Sequence, residues 1–367
     1  MSRNTGSVAS SDKSWLKLYA AVAALPLVLT ACGGGGGGGS PTPPLTPTPS
    51  PAPTPAPTPT PAPSPGPAPS STIGTNWSNV SVSGAGNLTG VDYDDGLFVA
   101  VSDTGTAFTS ADGSTWGTVT PLTSATSSDH LKANAIGHLG STFYAVGSVS
   151  SAPYTTSAGA LATSADGSTW TMATLPAGTT PLHGVMAGNG HVFALGEGGH
   201  VYSNSGSTWT AVPPFSGVGT LNAGAYGAGA FVAVGDNGYI ARSVDASAWS
   251  SGPVIVVGGT GINLHGIAWT GTQFVAVGDN GAITTSANGS KWNPLATSPL
   301  TGTLRSVTVA SNGTIVVVGD NGIETSTDGN VWTLQNENGT AALTGVAYGN
   351  ATFVAVGSGG AVKTSTH

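Results

Sequence analysis

A repeated segment constrains this chain more than any other feature. Residues 264–292 read LHGIAWTGTQFVAVGDNGAITTSANGSKW, and a version of this segment occurs seven times between Trp77 and His367. The copies begin 39 to 51 residues apart, each at a leucine: Leu88, Leu131, Leu182, Leu221, Leu264, Leu304 and Leu343. Each contains about four apolar runs separated by turn residues, and this number of strands in a period near forty is typical of a β-propeller blade.

Burial explains why such units form rings. Runs such as FVAVG at Phe231 and Phe274 are β-branched and aromatic and are bounded by Gly, Asp and Asn, so they predict strands joined by tight turns. One blade cannot cover both of its faces, so it stacks between neighbours. The chain is therefore predicted to be all-β, a seven-bladed β-propeller over residues 72–367.

The two ends of the repeat region predict how the ring closes. The last copy stops just after Ser365 and lacks a tryptophan, whereas Trp77 lies upstream of the first leucine. We therefore expect an N-terminal strand at Trp77 to complete the seventh blade. Its pairing with the last strand would remove an exposed sheet edge.

Residues 1–31 have the pattern of a signal peptide. Basic residues precede an apolar stretch that ends in LTAC at 29–32. This end resembles the lipobox of bacterial lipoproteins, and the resemblance implies that Cys32 becomes a lipid-carrying N-terminus. The glycine that follows implies sorting to the outer membrane. An ordinary signal peptide or a membrane span is the alternative, although the apolar run is short for a span.

Residues 32–71 are predicted to be a disordered linker. Seven glycines are followed by a Pro/Thr/Ala/Ser run from Pro41 to about Ser70. The Pro-rich part favours polyproline II at about 3.1 Å per residue, which gives a reach on the order of 90 Å. It is interpreted either as a spacer that holds the propeller away from a lipid surface or as a tolerated low-complexity segment.

The turn before each tryptophan recurs as SADGSTW, SANGSKW and similar segments. The residues that carry it are Ser110, Asp112, Trp116, Asp166, Trp170, Trp209, Trp249, Trp292 and Trp332, with Trp77 as the upstream tryptophan. The motif resembles the Asp-box of neuraminidase-repeat propellers, with a turn one residue shorter. We interpret it as structural, because Ser and Asp side chains can accept hydrogen bonds from the amides of their own turn.

A second turn, GDNG and its variants, places one carboxylate in each of five copies. These are Asp103, Glu197, Asp236, Asp279 and Asp320. Asp-Asn-Gly between apolar runs predicts a hairpin whose glycine takes positive φ. The five would also form an acidic ring on one face. Because calcium needs several oxygens within about 2.5 Å, we expect no metal in so wide a ring; an acidic face that steers a basic partner is the alternative.

The residue after each opening leucine is never apolar. This slot holds Thr89, Lys132, His183, Asn222, His265, Arg305 and Thr344. If the first strand of each blade lines the channel, the slot lies at its mouth; a polar residue at an exposed strand end is the simpler interpretation. An insertion in the second copy, GSVSSAPYTTSAG with Tyr154, is predicted on the same face and extends the candidate binding surface.

Composition excludes several classes of function. The propeller region contains five basic and fifteen acidic residues, so nucleic acid would be repelled. Sialidases share this repeat but need three arginines, and the region holds only Arg242 and Arg305. A carbohydrate-binding or glycoside hydrolase-like role remains the alternative. We expect no cofactor.

The repeat is also similar to that of the photosystem II assembly and stability factor propellers, over about residues 72–367. That resemblance implies a lipid-anchored propeller that docks onto another exported or envelope protein. We also expect the chain to be monomeric and non-catalytic. The family binds its partner through an arginine-rich patch that this chain lacks, so only the general role is carried over.

Overall fold

The computed structural model describes residues 73–117, 120–123, 130–149, 158–205, 208–213, 215, 218–335 and 341–365. These residues form an all-β, seven-bladed β-propeller, as predicted, together with one small two-stranded hairpin. The signal peptide, the linker, Cys32 and Tyr154 lie outside the described residues, so the predictions for them stay predictions.

Each blade is an antiparallel sheet whose first strand faces the central axis. The first strands of blades one to seven are Leu88–Asp94, Lys132–Leu139, Leu182–Gly188, Leu221–Gly227, Leu264–Trp269, Leu304–Val309 and Leu343–Gly349. The second strands are Leu97–Ser102, Thr142–Val149, His191–Gly196, Ala230–Gly235, Phe274–Gly278, Ile315–Gly319 and Thr352–Gly357. Each first strand packs against the first strands of the two neighbouring blades, so the ring is closed.

The outer strands are shorter and less regular. The third strands are Thr106–Ser110, Ala158–Ser164, Val201–Ser205, Ile240–Ser243, Ile283–Ser286, Gly322–Ser326 and Ala361–Ser365. The fourth strands are Thr120–Pro121, Thr171–Met172, Thr208–Val212, Trp249–Ser251 and Thr333–Leu334 in blades one to four and six, and Ser78–Ser81 in blade seven. Blade five has three strands in the described part of the chain. The connection from blade four to blade five adds a hairpin of Val256–Val257 and Thr260–Gly261.

The core lies between the blades. In blade six the second strand begins with the buried Ile315. The second strands of the other six blades carry a buried phenylalanine at or near their start: Phe98, Phe143, Phe193, Phe231, Phe274 and Phe353. Aromatic residues on the first strands pack on these rings, as in Tyr93 on Phe98 with ring centroids 4.6 Å apart. Each such pair is made within one sheet, by residues opposite each other on the first and second strands, and removes a large apolar area from water.

Four turns between second and third strands are single 3-10 turns: Glu197–Gly199, Asp236–Gly238, Asp279–Gly281 and Ser358–Gly360. In the Asp-Asn-Gly turns at 236–238 and 279–281 the asparagine and the glycine both take positive φ, as at Asn280 (56°) and Gly281 (69°), whereas in the turn at 320–322 only Gly322 does (139°). The prediction of positive φ at the glycine is confirmed, and in two of the three turns the asparagine shares it. Asn is the side chain that most often accepts this conformation after glycine.

The SADGSTW turns are held by their own side chains. Asp112 Oδ1 accepts the amides of Ser114 and Thr115, each at 2.7 Å, and Ser110 Oγ accepts the amide of Gly113 at 2.9 Å. The indole of Trp116 then donates to the Gly113 carbonyl at 2.9 Å. The same backbone amides, first Thr169 and then Ser168, lower the pKa of Asp166 to about 2. These hydrogen bonds are therefore a sufficient explanation for the motif, as the structural interpretation predicts.

Ring closure uses the same turn motif, with its residues divided between the first and the last segments of the propeller. Strand Ser78–Ser81 pairs with Ala361–Ser365, which confirms the predicted closure. Ser365 Oγ accepts the amide of Gly74 at 3.0 Å, and Trp77 Nε1 donates to the Gly74 carbonyl at 2.9 Å. These are the bonds that Ser110, Gly113 and Trp116 make within one turn. The seventh turn is thus assembled from residues at opposite ends of the domain.

The fourth blade departs from this turn chemistry and suggests a stabilising change. Its turn reads SVDASAW, and Ala246 takes φ of 64° where Gly113 takes 74°. We expect Ala246→Gly to raise the free energy of unfolding by about 0.5–1 kcal/mol, because alanine is strained in left-handed backbone. Denaturant unfolding of both proteins measures it. Gly113→Ala is the matched control and should lower stability; a loss of stability in Ala246→Gly would contradict the prediction.

Within the described residues, no helix combines the length and apolar character needed to cross a membrane.

Candidate functional site at the channel mouth

The channel mouth is built from seven β-bulges. In every first strand the register with the second strand shifts by one residue near the strand start. The extra residue in each shift is Thr89, Asn134, His183, Asn222, His265, Arg305 or Thr344, and all seven line one central cavity. A bulge turns a side chain out of the sheet's alternation. We call these seven residues the polar ring.

The sequence placed Lys132 in this ring, and that assignment is wrong. The bulge of blade two lies between Ala133 and Ala135, so Asn134 occupies the ring position. Lys132 is exposed and lies two residues before Asn134 on the same strand, where it pairs with Ser148 of the second strand. Alignment on the leucines failed here because buried Ala133 stands where the other blades have leucine. His183, Asn222, His265 and Arg305 lie in the ring as predicted.

The neutral members of the ring connect neighbouring blades. Thr89 Oγ1 donates to the Ala133 carbonyl at 2.9 Å, and Asn134 Nδ2 donates to the Leu182 carbonyl at 2.8 Å. Asn222 reaches the Leu264 carbonyl at 3.0 Å, and Thr344 reaches Leu88 across the closure. These bonds fix the spacing of the first strands around the axis.

Close approach at this level requires small residues after the bulge. A Cβ on Gly184 would lie 2.5 Å from the Asn222 carbonyl oxygen, and one on Gly345 would lie 3.1 Å from the Gly90 Cα. The equivalent residues in the other blades are glycine, alanine or serine. The ring is therefore narrow, and its polar side chains are held at fixed positions.

The two histidines and the arginine of the ring pair with the acidic residues of the turns. His183 Nε2 lies 3.4 Å from Glu197 Oε1, His265 Nε2 lies 2.7 Å from Asp279 Oδ1, and Arg305 Nε lies 2.7 Å from Asp320 Oδ1. The acidic ring and the polar ring are thus one network on one face. These side chains are between about one quarter and one half exposed, so the pairs order the surface more than they stabilise it.

The two remaining acidic residues accept neutral donors. Asp236 accepts the Asn222 amide at 3.1 Å and the Thr220 backbone amide at 2.9 Å. Asp103 accepts the Asn87 amide at 2.9 Å. All five predicted residues therefore take part in fixing the turns.

The cavity at the ring is small, and its accessible wall is mainly polar. Its volume is about 200 Å³, and below the polar ring it is lined by Val91, Ile136, Val185, Ile267 and Val307. Among the described residues, no group of three or more His, Cys, Asp or Glu side chains could hold a metal ion.

The two arginines of the described region lie on opposite faces. Arg305 is in the polar ring, whereas Arg242 Nε donates to the Asn288 carbonyl at 2.9 Å in the SANGSKW turn of blade five. That turn is at the other end of the strands from the ring. The two guanidinium groups do not converge on one ligand.

An apolar hairpin on the ring face was not predicted. Val254, Val256 and Val257, in the connection from blade four to blade five, are each at least 50% exposed. Ile255 N donates to the Gly238 carbonyl at 2.9 Å, which fixes the hairpin beside the acidic turn of blade four. The run PVIVVGG at 253–259 was the available signal, since glycine pairs follow apolar residues in tight hairpins.

No protein-family model matches this chain, and a search of curated proteins also finds no match. Solved structures match over most of its length. A streptogramin B lyase superposes with a TM-score of 0.65 at 14% identity, covering 79% of this chain and 97% of the other. YCF48 bound to a D1 peptide gives 0.59 at 18% identity, covering 79% and 95%. A catalytically inactive virginiamycin B lyase from Staphylococcus aureus with quinupristin gives 0.65 at 11%, covering 80% and 99%.

Fold and site together define a seven-bladed β-propeller with a polar mouth at one end of its channel. At these identities the comparisons establish the fold. The predicted resemblance to photosystem II assembly factors is matched at that level, because YCF48 is among the similar structures.

Proposed function

We propose that this chain is a protein-docking module of the bacterial cell envelope. In this proposal it is anchored by lipid at Cys32, in the outer membrane, and binds an exported or envelope protein as a monomer. The docking surface is the face that carries the polar ring, and the module is non-catalytic and has no cofactor. The propeller fold supports the coarse role, and the lipid anchor and the outer membrane belong to the proposal.

The observation that carries the proposal is the makeup of this face. His265 and Arg305 pair with Asp279 and Asp320 within the chain, and the ring to which they belong surrounds a cavity of about 200 Å³. Ligand pockets usually occupy about 300–1,000 Å³, so the channel mouth is too small to enclose a sugar chain. Three exposed valines lie beside the ring. An apolar patch with a polar rim is typical of a protein interface.

Glycoside hydrolysis is less well supported by the carboxyl groups. A general acid in such an enzyme needs a raised pKa at an accessible site. Burial raises the pKa of Glu324 to about 7, but its side chain is fully buried between blades five and six. The carboxylates of the ring face, such as Asp279 and Asp320, are engaged by His265 and Arg305.

The similar structures agree with docking without deciding it. One of them, YCF48, was solved with a peptide of another protein. Propellers of this size therefore include peptide-binding members, and the exported partner proposed here is of the same chemical kind.

Capture from the native envelope with the full-length chain tests the proposal. We expect wild-type protein to retain one envelope protein after crosslinking, and a triple variant with His183→Asn, His265→Asn and Arg305→Gln to retain at least about tenfold less, because about 1.4 kcal/mol of lost contact energy suffices. Mass spectrometry identifies and quantifies the partner.

Lys132→Ala is the matched control, since Lys132 is exposed but outside the ring. It should behave as wild type, and circular dichroism should show that all variants are folded. Equal capture by the triple variant, or loss of capture in Lys132→Ala alone, would contradict docking through the ring.

A further inference from the structure

A groove opens on the ring face at the outer side of blade five. It has a volume of about 360 Å³ and lies between the valine hairpin, the Asp279–Gly281 turn and the segment 295–301. It is separate from the channel, because the two share none of their lining residues.

The groove exists because blade five has no fourth strand in the described part of the chain. After Trp292 the chain makes two backbone–backbone bonds to the third strand, Asn293 N to the Thr285 carbonyl and Ala296 N to the Ile283 carbonyl, both at 2.8 Å. It then turns away at Pro299, and proline cannot donate to a strand ladder. The hairpin from blade four stands opposite, so a gap is left between them.

The wall of this gap is fixed by a buried carboxyl. Ser298 Oγ lies 3.1 Å and 2.9 Å from the two oxygens of Glu324, and the Leu300 amide donates to Ser298 Oγ at 2.9 Å. Gly281 N bonds the Gly302 carbonyl at 2.8 Å on the other side. The groove is therefore preformed rather than a gap between mobile loops.

One side of the groove is apolar and one end is acidic. Val257, Ile262, Leu295 and Leu300 line the apolar side. Asp279 lines the end, and both hydrogen bonds of its carboxylate within the described residues, with His265 and Thr303, are made to Oδ1. The other oxygen, Oδ2, is left for a cation from outside. No lysine or arginine lines this groove in the described part of the chain.

We propose that the groove binds an extended peptide segment of the partner protein in which an aliphatic side chain is followed closely by a lysine or arginine. The aliphatic side chain lies against Leu295 and Val257, and the cation lies at Asp279. This inference rests on the proposed function and names the chemistry of its partner.

Charge decides between this occupant and a second copy of the chain. Asp279 lines the groove, Asp236 lies in the turn that contacts Thr260–Gly261, Asp320 lies beside Gly302, and the whole chain has a net charge of −8. Two such faces would repel each other, whereas a basic segment would be attracted. The volume lies within the range of about 300–1,000 Å³ that is usual for pockets that enclose a ligand.

An array of all tripeptide sequences between Gly-Ser spacers, probed with the fluorescently labelled full-length chain, tests the inference. We expect the strongest signals from sequences with an aliphatic residue and a lysine or arginine. Asp279→Asn should lower the affinity for these peptides about threefold to fivefold, the size of a partly exposed ion pair, and should remove the preference for lysine over glutamine.

Two substitutions of opposite charge at Val257 distinguish binding in the groove from a general effect of surface charge. Val257→Lys and Val257→Glu remove the same apolar side chain, but only the lysine should abolish binding of cationic peptides. Val331→Lys is the control, because Val331 is 71% exposed and lies in the blade-six turn outside the groove. Sedimentation of the same samples detects self-association.

Three outcomes would overturn the inference: equal signals for acidic and basic peptides, binding unaffected by both Val257 variants, or concentration-dependent dimers blocked by Val257→Lys. If the array shows no preference while envelope capture still depends on the polar ring, the groove is wrong and the docking function stands. Loss of both results removes both proposals.

Discussion

Trp77→Ala is expected to lower the free energy of unfolding by about 3–5 kcal/mol, the range for deleting a buried tryptophan side chain. Trp77 is 4% exposed, and its ring lies 6.2 Å from Phe353 between centroids. Its indole also completes the divided turn with Gly74 and Ser365. The substitution therefore removes core packing and the link between the chain ends. Thermal and denaturant unfolding measure the loss.

Trp332→Ala separates these two contributions. Trp332 is 8% exposed and donates to the Gly329 carbonyl at 3.2 Å, in a turn that is continuous in sequence. Both variants should lose stability, but only Trp77→Ala should speed hydrogen exchange in strand Ala361–Ser365. Equal protection of that strand in both proteins would mean that the ring stays closed without the divided turn.

Glu324→Gln is expected to stabilise the protein by about 3 kcal/mol at pH 9 and to change little at pH 4. Burial raises the pKa of Glu324 from 4.5 to about 7, despite opposing hydrogen bonds from Ser298 and Leu300. In the folded protein the carboxyl keeps its proton between these values, whereas in the unfolded chain it loses it. Stability is thus fully present below about pH 4.5 and is lost as the pH rises through 7, by about 1.36 kcal/mol per pH unit.

Glutamine removes this dependence because it is neutral at every pH and can still bond Ser298. Denaturant unfolding from pH 4 to pH 9 for both proteins measures the difference, and the values at pH 4 serve as the internal control. A constant offset between the two curves would show that Glu324 titrates normally, and would contradict the assignment.

The sequence predicts the fold well because the strand and turn pattern of one blade occurs seven times in it. Strand positions, blade number and the closure at Trp77 follow from burial and from tight-turn residues, and both are local properties. Which residues form the polar ring was less predictable. Asn134 was missed because a β-bulge depends on the pairing of two strands, and alignment on Leu131 places Lys132 in the ring position instead.

The groove and the buried Glu324 could not be read from the chain. Ser298 and Glu324 lie 26 residues apart and meet only because blades five and six stack. The missing fourth strand of blade five leaves no clear mark beyond Pro294 and Pro299. Features that depend on what two neighbouring blades leave open require the three-dimensional arrangement.

The divided turn also means that the first turn of the domain cannot form until the chain has been synthesised as far as Ser365. Gly74 and the Ser365 hydroxyl that it bonds are 291 residues apart, so a chain that ends before Ser365 cannot satisfy the first turn that it makes. Until then Trp77 has no Phe353 to pack against. A chain truncated before Phe353 would thus leave this tryptophan uncovered at the other end of the domain.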